Sequence, residues 1–184
     1  MRDDGSDIEL KTQAGDVAVT LGAPGRHMVH NALAAAAAAL SAHVPLPSIA
    51  RGLADFRALA GRLAVLAGIR GVRVIDDSYN ANPDSVRAAI DVLAQAPATR
   101  WLVLGDMGEV GAQGPAFHRE VGEYARTAGV DRLLAVGTSA QATAQAFGRG
   151  GEHFADIDAL SARIAGDVRE GDTVLVKEIG RAHV

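Results

Sequence analysis

Between residues 72 and 176 the chain alternates short apolar runs with amphipathic stretches, and that rhythm leaves few folds open. Strands are predicted at 72–75, 100–104, 132–136 and 173–176, each rich in Val and Leu. Helical patterns follow or intervene at 83–95, 115–128, 139–147 and 157–168. Strands separated by helices cannot pair as hairpins. They need crossover connections, which make neighbouring strands parallel and lay helices on both faces of the sheet. The expected class is therefore α/β, a Rossmann-like domain with a mainly parallel sheet.

The first third of the chain has a different rhythm. Residues Asp7 to Leu21 alternate, with Ile8, Leu10, Val17, Val19 and Leu21 apolar around the turn signal Gln13-Ala14-Gly15-Asp16, which is the pattern of a β-hairpin. An alanine-rich run from Ala32 to Leu40 follows, and it predicts a helix whose small side chains permit tight packing. Val44 to Ser48 reads as a turn, and Ser48 to Phe56 as a short helix. The change of rhythm puts a domain boundary close to Gly61–Gly68. Residues 1–63 are then the end of one domain and residues 64–177 another.

Composition narrows the function classes. Apolar residues make up 48% of the chain but aromatics only 4%, so the core is built from Ala, Leu, Val and Ile in regular layers. A net charge of −4 with scattered signs provides no basic stripe for nucleic acid. The absence of cysteine excludes disulfides and thiolate metal sites and suits a reducing cytoplasm. No apolar stretch has membrane-spanning length, and the start Met1-Arg2-Asp3-Asp4-Gly5 is too polar for a signal peptide. The expectation is a cytoplasmic monomer with no membrane or nucleic-acid partner.

The densest chemistry lies at Val74-Ile75-Asp76-Asp77-Ser78-Tyr79-Asn80-Ala81-Asn82-Pro83, where an apolar strand breaks into two acids, a hydroxyl, a phenol and two amides. Asn82 before Pro83, Asp84 and Ser85 is a helix start, with an amide N-cap, Pro at the first position and an acid in the first turn. The cluster thus sits between a strand end and a helix N-terminus. In open α/β sheets that is where ligands bind. Gly105-Asp106-Met107-Gly108-Glu109 and Gly137-Thr138-Ser139 follow two other predicted strands and would line the same rim. Upstream, His27 and Asn31 are four apart, so both fall on one face near a helix start. There is no GxxxxGK[ST], GxGxxG or HExxH run and no metal-ligand spacing. Ser78 and Ser139 have no evident base, and the adjacent Asp76 and Asp77 would point to opposite faces of a strand rather than form a dyad. The residues themselves imply a ligand-binding rim, with no catalytic group and no metal site assigned.

An ordered set of motifs goes further: Pro24-Gly25-Arg26-His27 with Asn31-Ala32-Leu33-Ala34-Ala35, then Gly61-Arg62-Leu63, the 76–83 run, and Leu104-Gly105-Asp106-Met107-Gly108-Glu109. From about Gly5 to Lys177 the chain resembles the Mur ligases, and within them the branch that joins D-alanyl-D-alanine to UDP-N-acetylmuramoyl-tripeptide. The resemblance implies an ATP-dependent, amide-bond-forming ligase of peptidoglycan precursor synthesis that works through an acyl phosphate. It implies that residues 1–63 are the end of a P-loop ATPase central domain and that 64–177 form the Rossmann-like C-terminal domain. By the same analogy Asn31 contacts adenine with His27 nearby, Arg62 reaches ribose and phosphate, and Asp77 accepts from the ribose hydroxyls. Tyr79, Asn80, Asn82, Asp106, Met107 and Glu109 would face the dipeptide. ATP and Mg²⁺ are the implied cofactors. The phosphate-binding lysine and the metal ligands belong to a family region absent from this chain, so the isolated polypeptide is expected to be inactive. Met28 departs from the family, which often has Asn directly after the histidine.

The end of the chain departs too. After Lys177 the residues Glu178-Ile179-Gly180-Arg181-Ala182-His183-Val184 can be encoded by GAGATCGGAAGAGCACACGTC, which resembles a sequencing adapter read in frame, so 178–184 are expected to be a non-native tail. Two other readings compete with the ligase fragment. One is another Mur-type or folylpolyglutamate ligase, which the tyrosine and two amides after Asp77 disfavour. The other is a non-catalytic Rossmann-like module that binds a nucleotide or peptide.

Overall fold

The computed structural model describes residues 5–57, 59–108 and 110–177; Glu109 and the 178–184 run lie outside the described residues. The chain divides into two compact units, Met1–Leu59 and Ala60–Val184.

In the first unit β1 (Ser6–Thr12) and β2 (Gly15–Leu21) form the antiparallel hairpin, with Leu10 opposite Val17 and Ile8 opposite Val19. Alternation places one apolar face inward. Leu10 and Val19 pack with Ala36 of α1 (Arg26–Ser41) and Ile49 of α2 (Leu46–Ala54). Leu21, Ala23 and Ala32 close a second small cluster. The alanine run does form a helix, but α1 begins six residues before Ala32 and buries only Ala32 and Ala36. Leu33 is 45% exposed, so within this unit α1 packs along one stripe rather than all round.

The second unit is a six-stranded sheet of order β3-β4-β8-β5-β6-β7. The strands are β3 (Ala64–Ala67), β4 (Arg73–Asp76), β5 (Arg100–Leu104), β6 (Arg132–Val136), β7 (Gly151–Phe154) and β8 (Thr173–Lys177). All neighbours are parallel except β3, which runs antiparallel to β4. The helices are α3 (Pro83–Leu93), α4 (Gly114–Thr127), α5 (Gln141–Phe147) and α6 (Ile157–Asp167). Val86, Ile90 and Leu93 of α3, Val121 and Ala125 of α4 and Phe147 of α5 are buried, as are Leu102, Leu133 and Leu175 of the central strands. A separate cluster of Trp101, Val103, Leu134 and Val174 meets Leu160 of α6. The central strands are covered on both faces, which is why they read as unbroken apolar runs.

Two strands escaped the sequence reading. Ala64–Ala67 lies in the stretch expected to hold the domain boundary, yet it is an edge strand. Val65 and Leu66 are 39% and 51% exposed, so no buried face imposes an alternation that could be read. Gly151–Phe154 is the opposite edge, and its four residues carry Glu152 and His153. Edge strands are short and polar by need, which hides them.

Candidate functional site

Because β4, β8, β5 and β6 are parallel, their carboxyl ends share one edge of the sheet, and the loops that leave them form a common rim. The loop after β4 is held by its own acids. Asp76 Oδ1 accepts from the backbone N–H and the hydroxyl of Ser78, at 3.1 and 2.6 Å, and its Oδ2 accepts from Gly61 N–H at 3.0 Å. Asp77 Oδ1 accepts from Leu63 N–H at 3.1 Å, and Oδ2 accepts from Lys177 Nζ at 2.5 Å. Thus the two carboxylates do not act on opposite sides. The strand ends at Asp76, so alternation no longer separates them, and both fasten the 61–63 segment.

Lys177 was absent from the sequence-level candidates and is the largest omission. It ends β8, is 3% exposed, and sits beside β4 through the pairing of Asp76 with Val176. A lysine closing an apolar strand, Val174-Leu175-Val176-Lys177, is the signal that could have found it, since a buried cation needs a partner.

Gly61 has φ 74°, and a Cβ there would lie 3.1 Å from Tyr79 N, so the tight approach of the two segments requires glycine. Tyr79 N–H donates to Gly61 O at 3.0 Å. That contact brings two predicted site residues together: the Arg62 guanidinium carbon lies 4.0 Å from the centre of the Tyr79 ring. Both side chains are exposed. A guanidinium stacked on a ring by its face keeps its edge N–H groups available to an anion.

Asn80 is exposed, whereas Asn82 is engaged locally. Its Oδ1 accepts from Ser85 N–H at 2.9 Å, and its N–H donates to Ser85 Oγ at 3.1 Å, a reciprocal cap at the start of α3. The loop after β5 joins this one through Gly108 N–H, which donates to Ala81 O at 3.1 Å. Asp106 is exposed, and its Oδ1 accepts from Ala140 N–H at 2.7 Å. Met107 points inward and is 4% exposed, so its side chain is part of the packing under the rim. Its N–H donates to Nε2 of His118 at 3.2 Å. His118 is fully buried, which pushes its pKa below the ordinary 6.5, while the nearby Asp106 carboxylate partly opposes that shift.

His27 and Asn31 fall on one face at the start of α1, His27 half-buried and Asn31 exposed, with Asn31 Nδ2 3.9 Å from Met28 Sδ. They belong to the first unit and the other candidates to the second. No cluster of three His, Asp or Glu able to hold a metal ion occurs among the described residues, and no described helix is long and apolar enough to cross a membrane.

Comparison with known proteins agrees with this architecture. Residues 61–177 match the family model described as Mur ligase, glutamate ligase domain. The chain is 46% identical over 175 residues to the UDP-N-acetylmuramoyl-tripeptide–D-alanyl-D-alanine ligase of Escherichia coli K12, an alignment covering 94% of this chain and 38% of that protein. It is 40% identical to the enzyme of the same name from Mycobacterium tuberculosis CDC 1551, covering 86% of this chain and 36% of that protein. The crystal structure of MurF from Acinetobacter baumannii superposes with a TM-score of 0.86 at 32% identity, covering 96% of this chain and 39% of that one. MurF from Thermotoga maritima, solved in complex with ADP, shares the fold with a TM-score of 0.81 at 22% identity. The chain therefore spans about two fifths of the length of these relatives. On the match over residues 61–177, the chain belongs to the Mur ligase family.

Proposed function

We propose that this chain is the carboxyl-terminal part of an ATP-dependent ligase that joins D-alanyl-D-alanine to UDP-N-acetylmuramoyl-tripeptide. Residues 1–63 are then the end of its ATP-binding central domain, and 64–177 its Rossmann-like C-terminal domain. The observation that carries the reading is the 46% identity to the E. coli ligase across 94% of the chain. The grouping of Arg62, Tyr79, Asp77 and Lys177 at one strand edge supports it.

A carboxylate is a poor acyl donor. ATP transfers its γ-phosphoryl group to the muramoyl-tripeptide carboxylate, leaving ADP. The dipeptide amine then attacks the acyl phosphate carbon, forming the amide as inorganic phosphate departs and the amine loses a proton. Negative charge develops on the phosphoryl oxygens, and an exposed guanidinium is a fitting counter-charge. Arg62 takes that role, held in place by the face of Tyr79. Asp77 takes the ribose diol, since a carboxylate at this strand end offers acceptor oxygens to hydroxyl donors. Asn31, with His27 about one turn before it on the same face of α1, contacts the adenine. The dipeptide meets the exposed Tyr79, Asn80 and Asp106; Glu109, the other residue expected to face it, lies outside the described residues. Asn82 and Met107 shape this surface from beneath, the first as a helix cap and the second by packing. No residue of this chain is assigned to Mg²⁺.

The test is a chimera in which residues 5–177 replace the matching part of the E. coli ligase. Phosphate release that depends on both the dipeptide and the muramoyl-tripeptide is the expected result, with none from the isolated chain. A folded chimera that turns over without the dipeptide, or not at all, overturns the reading.

A further inference from the structure

The β5–α4 loop is fastened from below by a histidine that the proposed chemistry does not use. His118 of α4 and Thr143 of α5 are both fully buried, and His118 Nδ1 lies 2.9 Å from Thr143 Oγ1. On the other side of the ring, Nε2 receives the N–H of Met107 at 3.2 Å. A ring nitrogen that accepts from an N–H cannot itself carry a proton. Nε2 is therefore bare, the proton of the neutral ring is on Nδ1, and Nδ1–H donates to the threonine hydroxyl. Protonation of Nε2 would set two donors against each other.

The surroundings leave this arrangement little room to change. One helical turn beyond His118, a Cβ at Gly122 would come within 2.3 Å of Thr143 O, so α4 and α5 touch through backbone at this point. Asp106, the residue before Met107, is fixed to the start of α5 by Ala140 N–H. The residue after it, Gly108, is fixed to Ala81 on the β4–α3 loop. Three successive residues of the loop are thus tied to three different elements, and the middle tie is the imidazole.

We infer that His118 is a positioning residue: as the neutral Nδ1–H tautomer it latches the 105–108 loop to α5, and thereby sets the wall of the rim that receives the attacking amine. This rests on the ligase reading above. The latch acts on the dipeptide side and not on the nucleotide side, because it fastens Asp106–Gly108, whereas Arg62 and Asp77 are fastened by Tyr79 and Lys177.

Two measurements test it. In the isolated chain, nitrogen NMR of the imidazole should show His118 protonated on Nδ1, with Nε2 bare and coupled to the Met107 amide. An Nε2–H tautomer overturns the latch. In the chimera, His118→Gln and Thr143→Val should each raise KM for D-alanyl-D-alanine by about tenfold, leaving KM for ATP within about twofold of the parent. Thr143→Ser, which keeps the hydroxyl, should restore the parent value. Equal rises in both constants, no rise in either, or a Thr143→Ser variant as impaired as Thr143→Val each overturn the proposal. An unsubstituted chimera that ignores the dipeptide fails on the ligase reading itself, before any latch variant is compared.

Discussion

The loops that leave β4 and β5 meet on one edge of the sheet, yet opposite means hold them. The β4 loop is fastened by charge: two carboxylates take the N–H groups of Gly61 and Leu63, and a buried lysine closes the arrangement. The β5 loop is fastened by a neutral ring, His118, between a backbone N–H and a hydroxyl. A buried ion pair is costly to break from one side, because the surviving charge stays desolvated and loses its strongest compensation. A neutral hydrogen-bonded ring is less costly to lose but can be changed by a proton. The comparison assigns severity to one loop and pH sensitivity to the other.

The strongest test of the comparison is Lys177→Met. Removing the ammonium leaves Asp77, with a side chain 14% exposed, without its cation, and should destabilise the chain by about 3–5 kcal/mol in urea unfolding. The double variant Lys177→Met with Asp77→Asn should recover much of that loss, since the two effects are coupled. A cost below about 1 kcal/mol for the single variant would mean that the pair does not hold the β4 loop.

His118→Leu comes next. It strands Met107 N–H and Thr143 Oγ1 in a buried place, at a cost of about 1–3 kcal/mol. The parent chain carries a pH signature here. The folded pKa of His118 lies below the unfolded value of 6.5, so above 6.5 both states are neutral and the contribution is complete. As pH falls below 6.5 the unfolded chain takes up the proton first, and stability is lost until the folded pKa is reached. Urea unfolding at pH 7.5 and 5.5 should show this loss in the parent and a smaller one in His118→Leu. An unchanged pH difference in the variant would place the sensitivity elsewhere.

Two smaller effects sharpen the contrast. Asn82→Ala removes the side-chain cap of α3 and should cost about 1 kcal/mol, read as a lower melting temperature. Arg62→Ala touches an exposed stack and should change stability by no more than about 0.5 kcal/mol. In the chimera the same substitution should raise KM for ATP while leaving KM for the dipeptide near the parent. A large stability loss would recast Arg62 as a structural residue.

Much of the architecture was legible along the chain. The four central strands, the hairpin and the long helices announce themselves because each buries a face, and burial imposes a period of 2 or 3.6 on the residues. Asn82-Pro83-Asp84-Ser85 was legible as a cap for the same local reason: every group in the motif acts within four residues. Gly61-Arg62-Leu63 and the 76–83 run were legible as motifs, although their contact was not. They are 14 or 15 residues apart where Asp76 and Asp77 meet Gly61 and Leu63.

What the amino-acid order determined by itself is the set of elements: a parallel sheet layered with helices, a hairpin unit before it, and polar loops at the strand ends. Tertiary structure decided which polar residues face outward and which hold the frame. Asp77 and Lys177 are 100 residues apart and meet only because β8 inserts between β4 and β5. His118, Thr143 and Met107 meet only because α4 and α5 close to backbone contact. Local sequence fixes whether a residue is in a strand, helix or turn, since those preferences act over a few bonds. A buried partner is chosen by strand order and helix crossing, and those are properties of the whole packed unit.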